Sequence, residues 1–554
     1  MDTYLKLKMS NCQNCYKCIR NCPVKSIKFS SNQANIIADE CILCGQCFVV
    51  CPQNAKEIRD DTHKAKKLIA NGEKVIASLA PSFVANFSSS TIETLTKALK
   101  AIGFSDVQET ALGATVVKNA YTQIIKEQKQ SVMISSCCPT INALIQKYYP
   151  EALPYLAKVL TPMQTHGKMI KEKDKNAKVV FIGPCISKKH EADEDETYID
   201  CVLTFEELAN WLNEENVEVE QGEKQNDIGK ARFFPTTGGI LKTMELDDNY
   251  SYLAFDGVDN CIEVIKDILD GKITNCFVEM SACVGSCAGG PVLAKKQYSP
   301  VKDTVAVHKY AGKVDFEVEK VDTYKNYQYI GLNRTMPGTS DIKDILKKMG
   351  KTTEADELNC GACGYNTCKE KAIAVYFGKA DLSMCLPFLK EKAESFSETI
   401  IKNTPNAIIV LNEALEIQQV NTSARKMFNI KNISSIIGEQ VIRILEPKIF
   451  LDVMESGRNV RDQRVYLPEY DRYVEKTIIY DRSYHILMCI MRDVTDEENG
   501  RKRKEEISTH TVEVTNKVIE KQMRVVQEIA LLLGETTAET KIALTKLKDS
   551  LNDE

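Results

Sequence analysis

Three apolar runs, at residues 74–80, 131–136 and 178–182, are separated by stretches in which apolar residues recur at helical spacing. Short apolar runs alternating with helical patterns predict an α/β domain with a mainly parallel sheet over 73–345. Further on the pattern changes. Short strands are predicted at 407–411, 473–480 and 484–491 around helices, an α+β arrangement over 395–496. His485 lies on that last alternating pattern and reads as structural, and Cys489 reads as core. The end of the chain, 497–554, is helical and highly charged. Val518, Val525, Ile529 and Leu532 form one apolar stripe, Gly534 closes the helix, and Thr536 with Glu539 makes a capping box. Leu544, Leu547 and Leu551 continue a second stripe, so a helical hairpin is predicted at 515–551. Helices that short need a partner face. A charged stretch, 59–67, leads out of the N-terminal segment.

Composition narrows the class. A chain of 554 residues suits roughly three to five domains, and 43% hydrophobic residues are ample for their cores. The net charge of −5 includes no basic run suited to nucleic acid. No apolar stretch approaches the ~20 residues that span a bilayer, and no signal peptide is visible. These features predict a cytoplasmic protein without membrane or nucleic-acid partners. There the 21 cysteines serve as thiolate ligands or free thiols, not disulfides. No phosphate-binding loop or Gly-x-Gly-x-x-Gly run supports ATP or NAD, Gly238-Gly239 being too short to count.

The cysteines are patterned. Cys12, Cys15, Cys18 and Cys22 before Pro23 spell C-x2-C-x2-C-x3-C-P, and Cys41, Cys44, Cys47 and Cys51 before Pro52 repeat it. In two-cluster ferredoxins such runs share ligands crosswise. Residues 1–58 therefore read as a ferredoxin-like unit. Cys12, Cys15, Cys18 and Cys51 are assigned to one 4Fe–4S cluster, and Cys22, Cys41, Cys44 and Cys47 to the other. Zinc, which takes four ligands as two pairs, suits the triplets poorly. A further set, Cys360, Cys363, Cys368 and Cys385, marks a small unit over 346–392 with a third such cluster, zinc remaining an alternative. Such clusters suit an anaerobe.

A last set is scattered: Ser135-Ser136-Cys137-Cys138-Pro139; Pro184-Cys185-Ile186-Ser187-Lys188 running on to Glu191; and Glu279, Met280, Cys283, Cys287 with Gly289-Gly290. Cys137, Cys138 and Cys185 follow predicted strands, at the carboxyl ends where open α/β sheets place ligands. A four-thiolate cubane site can close from these segments. An ordinary buried 4Fe–4S cluster or unrelated core cysteines remain open on spacing alone. Cys201, Cys261 and Cys276 fit no motif and read as small buried hydrophobes.

Together the three segments resemble the signature motifs of the iron–iron hydrogenases, TSCCP, PCxSKxxE and ExMxCxxxC with a glycine pair. The resemblance implies an H-cluster, a 4Fe–4S cubane bridged to a diiron subsite carrying CO, cyanide and a dithiolate. It implies that Cys138, Cys185, Cys283 and Cys287 hold the cubane, Cys287 bridging to the diiron unit, and that Cys137 passes protons. Lys188 would contact a cyanide ligand, with Glu191 closing its motif. Ala80-Pro81-Ser82 matches the family's stretch near the other cyanide. Several positions depart. Ser281 stands where the family has methionine, with Met280 displaced by one, and Thr140-Ile141 stands where tryptophan is usual. Met163 or Gln164 replaces or shifts a glutamine, and 115–120 lacks the two glutamates of the proton exit path. These departures predict a poor proton wire, hence slow turnover and a sensing role.

The segment 346–392 resembles a small 4Fe–4S domain of corrinoid iron–sulfur proteins and some sensory hydrogenases. Residues 395–496 resemble a PAS domain, on Asn406-Ala407-Ile408-Ile409-Val410-Leu411, Val420-Asn421, Ala424, Phe428 and Arg492-Asp493-Val494. The ligand of that domain is not identifiable from sequence. The resemblance implies H2 and protons as substrates, a redox partner such as ferredoxin, and hydrogenase maturation proteins. The tail implies a homodimer, or a protein phosphatase or kinase as partner. The alternative is a non-enzymatic iron–sulfur redox sensor or electron carrier without the diiron subsite. A ferredoxin-linked or electron-bifurcating catalytic hydrogenase is disfavoured by the missing flavin and nicotinamide motifs.

Overall fold

The computed structural model describes residues 4–8, 11–87, 90–127, 130–223, 227–293, 299–331, 335–533 and 538–551. Gly534 and Thr536, the predicted helix stop and cap, lie outside them. The chain divides into two compact units, 1–389 and 390–554.

In the first unit the N-terminal segment pairs its ends. Strand Leu5–Leu7 runs antiparallel to Lys56–Ile58, and Ile27–Ser30 pairs with Gln33–Ile36. Between them the cysteine runs fold into tight turns and two short helices, Lys17–Arg20 and Gln46–Val49.

The α/β region holds two parallel sheets, not the single one anticipated. One has the order Asp106–Glu109, Val75–Leu79, Lys178–Gly183, Cys201–Thr204. The other has Ser251–Asp256, Cys276–Ser281, Val132–Ile134. Strands Val75–Leu79 and Cys276–Ser281 are buried throughout, as strands covered on both faces must be. The amphipathic helices Ile92–Ala101 and Phe205–Glu214 begin at capping boxes, Thr91 with Thr94 and Thr204 with Glu207. Hydrophobic periodicity identifies strands, but pairing depends on contacts far apart in sequence.

The charged stretch 59–67 is partly buried. It enters helix Thr62–Ala70 and is pinned by buried charge. Lys189, fully buried, donates to Asp61 Oδ2 at 2.7 Å, to Glu207 Oε1 at 2.8 Å and to the Val202 carbonyl at 3.0 Å. Arg59 reaches both Asp61, at 2.9 Å, and Asp193, at 2.7 Å. The small cysteine unit joins the N-terminal segment through the Phe29 N–H to the Lys379 carbonyl, 2.7 Å, and Lys25 Nζ to the Gly364 carbonyl, 3.1 Å.

The second unit contains a five-stranded antiparallel sheet in the order Ile417–Val420, Ala407–Asn412, Ile486–Asp493, Arg472–Asp481, Val460–Leu467. His485 is not on a strand. It sits in a turn at φ 55°, exposed, with Nδ1 2.8 Å from Glu413. The chain ends in helices Thr495–Leu533, of 39 residues, and Ala538–Ser550. The first begins well before the predicted hairpin. Its stripe is uncovered, with Val518, Val525 and Ile529 about half exposed, and the side chain of Leu532 lies outside the described set.

Candidate metal centre

Four segments follow the carboxyl ends of four strands, two from each sheet. Leu79 leads to Ala80-Pro81-Ser82, Gly183 to Pro184-Cys185, Ile134 to Ser135-Ser136-Cys137-Cys138, and Ser281 to Cys283. Together with Lys188 and Cys287 they line one cavity of about 120 Å³. A water needs on the order of 10–15 Å³, so the space suits a larger group.

Hydrogen bonds fix each segment. The Met280 N–H donates to Ser135 Oγ at 3.1 Å, and Ser136 Oγ donates to the Val159 carbonyl at 2.7 Å. Cys138 is the N-cap residue of helix Pro139–Tyr148, whose proline occupies the first turn, where an N–H is not needed. Gly290 is required where it stands, because a Cβ there would lie 2.6 Å from the Pro184 side chain. Cys287 is accessible and lines the cavity.

The electrostatics are those of a dry site. Burial pushes the Cys185 thiol up to about 11, helped by Cys138. Cys283 and Cys287 are raised further, first by burial and then by the neighbouring thiols. Lys188 is buried and pairs with Glu191 at 2.7 Å. Burial opposes its charge, but Glu191, Cys185 and Cys287 hold its pKa above the ordinary lysine value. Converging thiols raise one another because all would be anionic, and a bound cationic centre removes that penalty. Ser82 Oγ, buried on the cavity wall, has no hydrogen-bond partner among the described residues. Such an atom calls for a ligand. Donor set, room and orphaned hydroxyl all fit a metal–sulfur group.

Cys137 is held differently. The Tyr121 hydroxyl lies 3.2 Å from its sulfur and 3.1 Å from Ser136 Oγ, and accepts the Ser136 N–H at 2.9 Å. Burial pushes Cys137 up to about 12, while Tyr121 and Lys188 pull it down and Glu279 adds to the rise. Sequence reasoning missed Tyr121. Its only signal was the buried spacing Val117, Tyr121, Ile125 on helix Ala111–Lys126. Glu279 accepts the N–H groups of Ile240 at 3.0 Å and Leu241 at 3.2 Å. Burial still raises it to about 7. In the glutamate-free stretch, buried Lys118 pairs with Asp315 and donates to the Thr243 carbonyl at 3.1 Å. Thr140 and Ser281 lie on the cavity wall, as does Met163, whereas Gln164 is buried with its amide on the Glu191 carbonyl at 3.1 Å.

The other cysteines group by neighbourhood. Cys18, raised to about 11 mainly by burial, is flanked by Cys12 and Cys15. Cys44 and Cys47 are flanked by Cys22 and Cys41. The Lys8 N–H to Ala55 carbonyl bond, 2.9 Å, carries the segment after Cys51 back beside the first triplet. Cys360, Cys363, Cys368 and Cys385 line one small cavity. Cys201, Cys261 and Cys276 are buried, Cys261 behind the central site with its thiol on the Ser281 carbonyl at 3.6 Å, and Cys489 is buried in the second unit. Among the described residues, no three His, Cys, Asp or Glu side chains converge closely enough for a single metal ion. A cubane spreads its four thiolates over separate corners.

Residues 73–291 match the family model for the iron-only hydrogenase large subunit, C-terminal domain. Residues 5–52 match a 4Fe–4S dicluster domain, 356–387 an Fe–S cluster domain, and 395–494 the PAS fold. Iron hydrogenase 1 of Clostridium pasteurianum is 25% identical over 281 residues, 40% of this chain and 49% of that protein. The periplasmic Fe hydrogenase large subunit of Nitratidesulfovibrio vulgaris is 25% identical over 299 residues, 43% of this chain and 70% of that one. Cytosolic Fe–S cluster assembly factor NAR1 of Yarrowia lipolytica is 24% identical over 220 residues, 33% and 45%. The chain thus spans about half the length of the first of these relatives. Among the described residues no helix is long and apolar enough to cross a membrane. Motifs, cavity and matches together make this a hydrogenase-like iron–sulfur protein in which a hydrogenase-type α/β domain is joined to 4Fe–4S domains and a PAS domain.

Proposed function

We propose that the chain is a sensory-type hydrogenase, reacting slowly with H2 and passing its redox state to the PAS domain and tail. The observation that carries this reading is the single cavity shared by Cys138, Cys185, Cys283, Cys287, Cys137, Lys188 and Ser82. Cys138, Cys185, Cys283 and Cys287 would hold the H-cluster cubane, Cys287 also facing the diiron part. When bound, that group supplies the metal centre at which H2 is split. The protein's own part is to bind, orient and move protons. Lys188, kept charged by Glu191, offers a cation to an anionic ligand in a dry pocket. Ala80, Pro81 and Ser281 share the cavity wall with the Ser82 hydroxyl.

Cys137 would hold and release the proton, steadied by Tyr121. Glu279, near neutrality and electrostatically coupled to Cys137, offers a carboxyl where the family's exit glutamates are missing. The Cys22, Cys41, Cys44, Cys47 cluster would feed the central site, since Cys44 neighbours Cys283. The Cys360 set would join through Tyr365, between Cys363 and Cys22. A redox partner such as ferredoxin, maturation proteins that load the diiron group, and a cytoplasmic location complete this reading.

Infrared spectroscopy of protein loaded with the diiron cofactor tests it, with CO and cyanide bands expected. The similarity to NAR1 favours a second reading, a cubane without diiron chemistry. A central cubane that forms but never yields those bands would establish the second and refute the first.

A further inference from the structure

Strand Arg472–Asp481 carries an anomaly. Val474 and Ile478 are fully buried, and Lys476 lies between them on the same, core-facing side. Across the sheet, Lys476 is paired with Met491 and Ile478 with Cys489, both partners about 1% exposed. On the other side Gln463 stands opposite Lys476. These residues, with Ile444 and Phe450 from the facing segment, line a groove of about 690 Å³. That volume is ordinary for a small-molecule site. Lys476 is half-buried, so its ammonium gives up part of its hydration without an answering charge. Among the described residues, nothing hydrogen-bonds or ion-pairs with the Lys476 ammonium. The Cys489 thiol, pushed up to about 12 by burial, is neutral and is no counter-ion. Glu446 lies on the groove's solvent side, and Burial pulls the Lys476 pKa down against weaker support from Cys489 and Glu446.

We infer that this groove binds an apolar molecule bearing one carboxylate, its tail on Ile444, Phe450 and Ile478 and its carboxylate on the Lys476 ammonium. A charge-assisted hydrogen bond of that kind is strong once water is excluded. The groove is walled on one side by Tyr470, held by its hydroxyl bond to the Ile444 carbonyl at 3.1 Å and its edge-on contact with Phe428.

The test is calorimetric titration of the full-length protein with octanoate and, separately, octanamide. Octanoate should bind at least about tenfold more tightly than the amide. Lys476→Met, which keeps the stem and removes the charge, should abolish that tenfold preference. Lys448→Met, an exposed lysine on the same groove, should leave octanoate affinity within about twofold. Equal affinity for acid and amide, octanoate binding unchanged by Lys476→Met, or no binding of either probe would each overturn the inference.

Discussion

The central cavity and the PAS groove answer the same problem, a lysine facing inward, in opposite ways. Lys188 is paired with Glu191 inside the protein, in a cavity of about 120 Å³ walled by strand ends. Lys476 has no partner among the described residues, in a groove of about 690 Å³. A prepaired charge in a small rigid pocket suits a group that is installed once and stays. An unanswered charge in a roomy, open groove suits a ligand that comes and goes. The difference teaches that burial of a cation says little about function until its counter-charge has been located.

The largest expected effect falls on the thiols of the rigid pocket. Cys138→Ala or Cys283→Ala should remove one cluster's worth of iron and all hydrogen chemistry, whereas Cys201→Ala should remove neither, by iron analysis and H2 assay. H2 evolution by the Cys138 variant would break the contrast at its root. Next comes the prepaired charge. Glu191→Ala leaves Lys188 buried and alone, and should destabilise the first unit by about 3–5 kcal/mol in chemical denaturation. Lys476→Met removes a charge that had no partner and should cost far less. Cys137→Ala should keep the infrared bands of a loaded centre and lower turnover ~10²-fold or more, the scale of a positioned acid–base group.

A pH effect sharpens the picture of the rigid unit further. His166 is enclosed, with Nδ1 2.8 Å from Ser78 Oγ and Nε2 without a partner among the described residues. Burial lowers its pKa from 6.5 to about 3. Below about pH 6.5 the unfolded chain takes up a proton that the folded chain refuses. Stability contributed by this site is therefore full above pH 6.5 and is lost as pH falls toward 3, by about 1.4 kcal/mol per unit. His166→Gln should flatten the denaturation midpoint between pH 5 and 7.5. The smallest effect on chemistry is expected from deleting 500–554. Hydrogen reactivity should persist while self-association or binding to a phosphatase or kinase, read by light scattering and pull-down, is lost. Loss of the metal centre with partners retained would reverse that division of labour.

The cluster sites were legible because thiolate spacing within a short segment is nearly a structural statement. The central site was legible only through motif resemblance, since three distant segments meet by tertiary folding. What stayed hidden depended on partners. Lys189, Asp61 and Glu207 lie in charged stretches that carry no motif, yet they form a buried network. Tyr121 belongs to no motif, and its hydroxyl acquires meaning only beside Cys137. Two sheets looked like one, because apolar runs do not say with whom they pair. The tail's helicity and its apolar stripe were visible, and only the start of the hairpin's first helix, continuous from Thr495, was placed too late.

Gly45, between Cys44 and Cys47, has φ 76°, and a Cβ there would meet Pro291 at 2.5 Å. Pro291 lines the central cavity. The loop that would carry an electron-transfer cluster and the wall of the reactive pocket are thus one mechanical part. Any disturbance of the loop 41–47 would therefore be felt at the central cavity as a loosened wall.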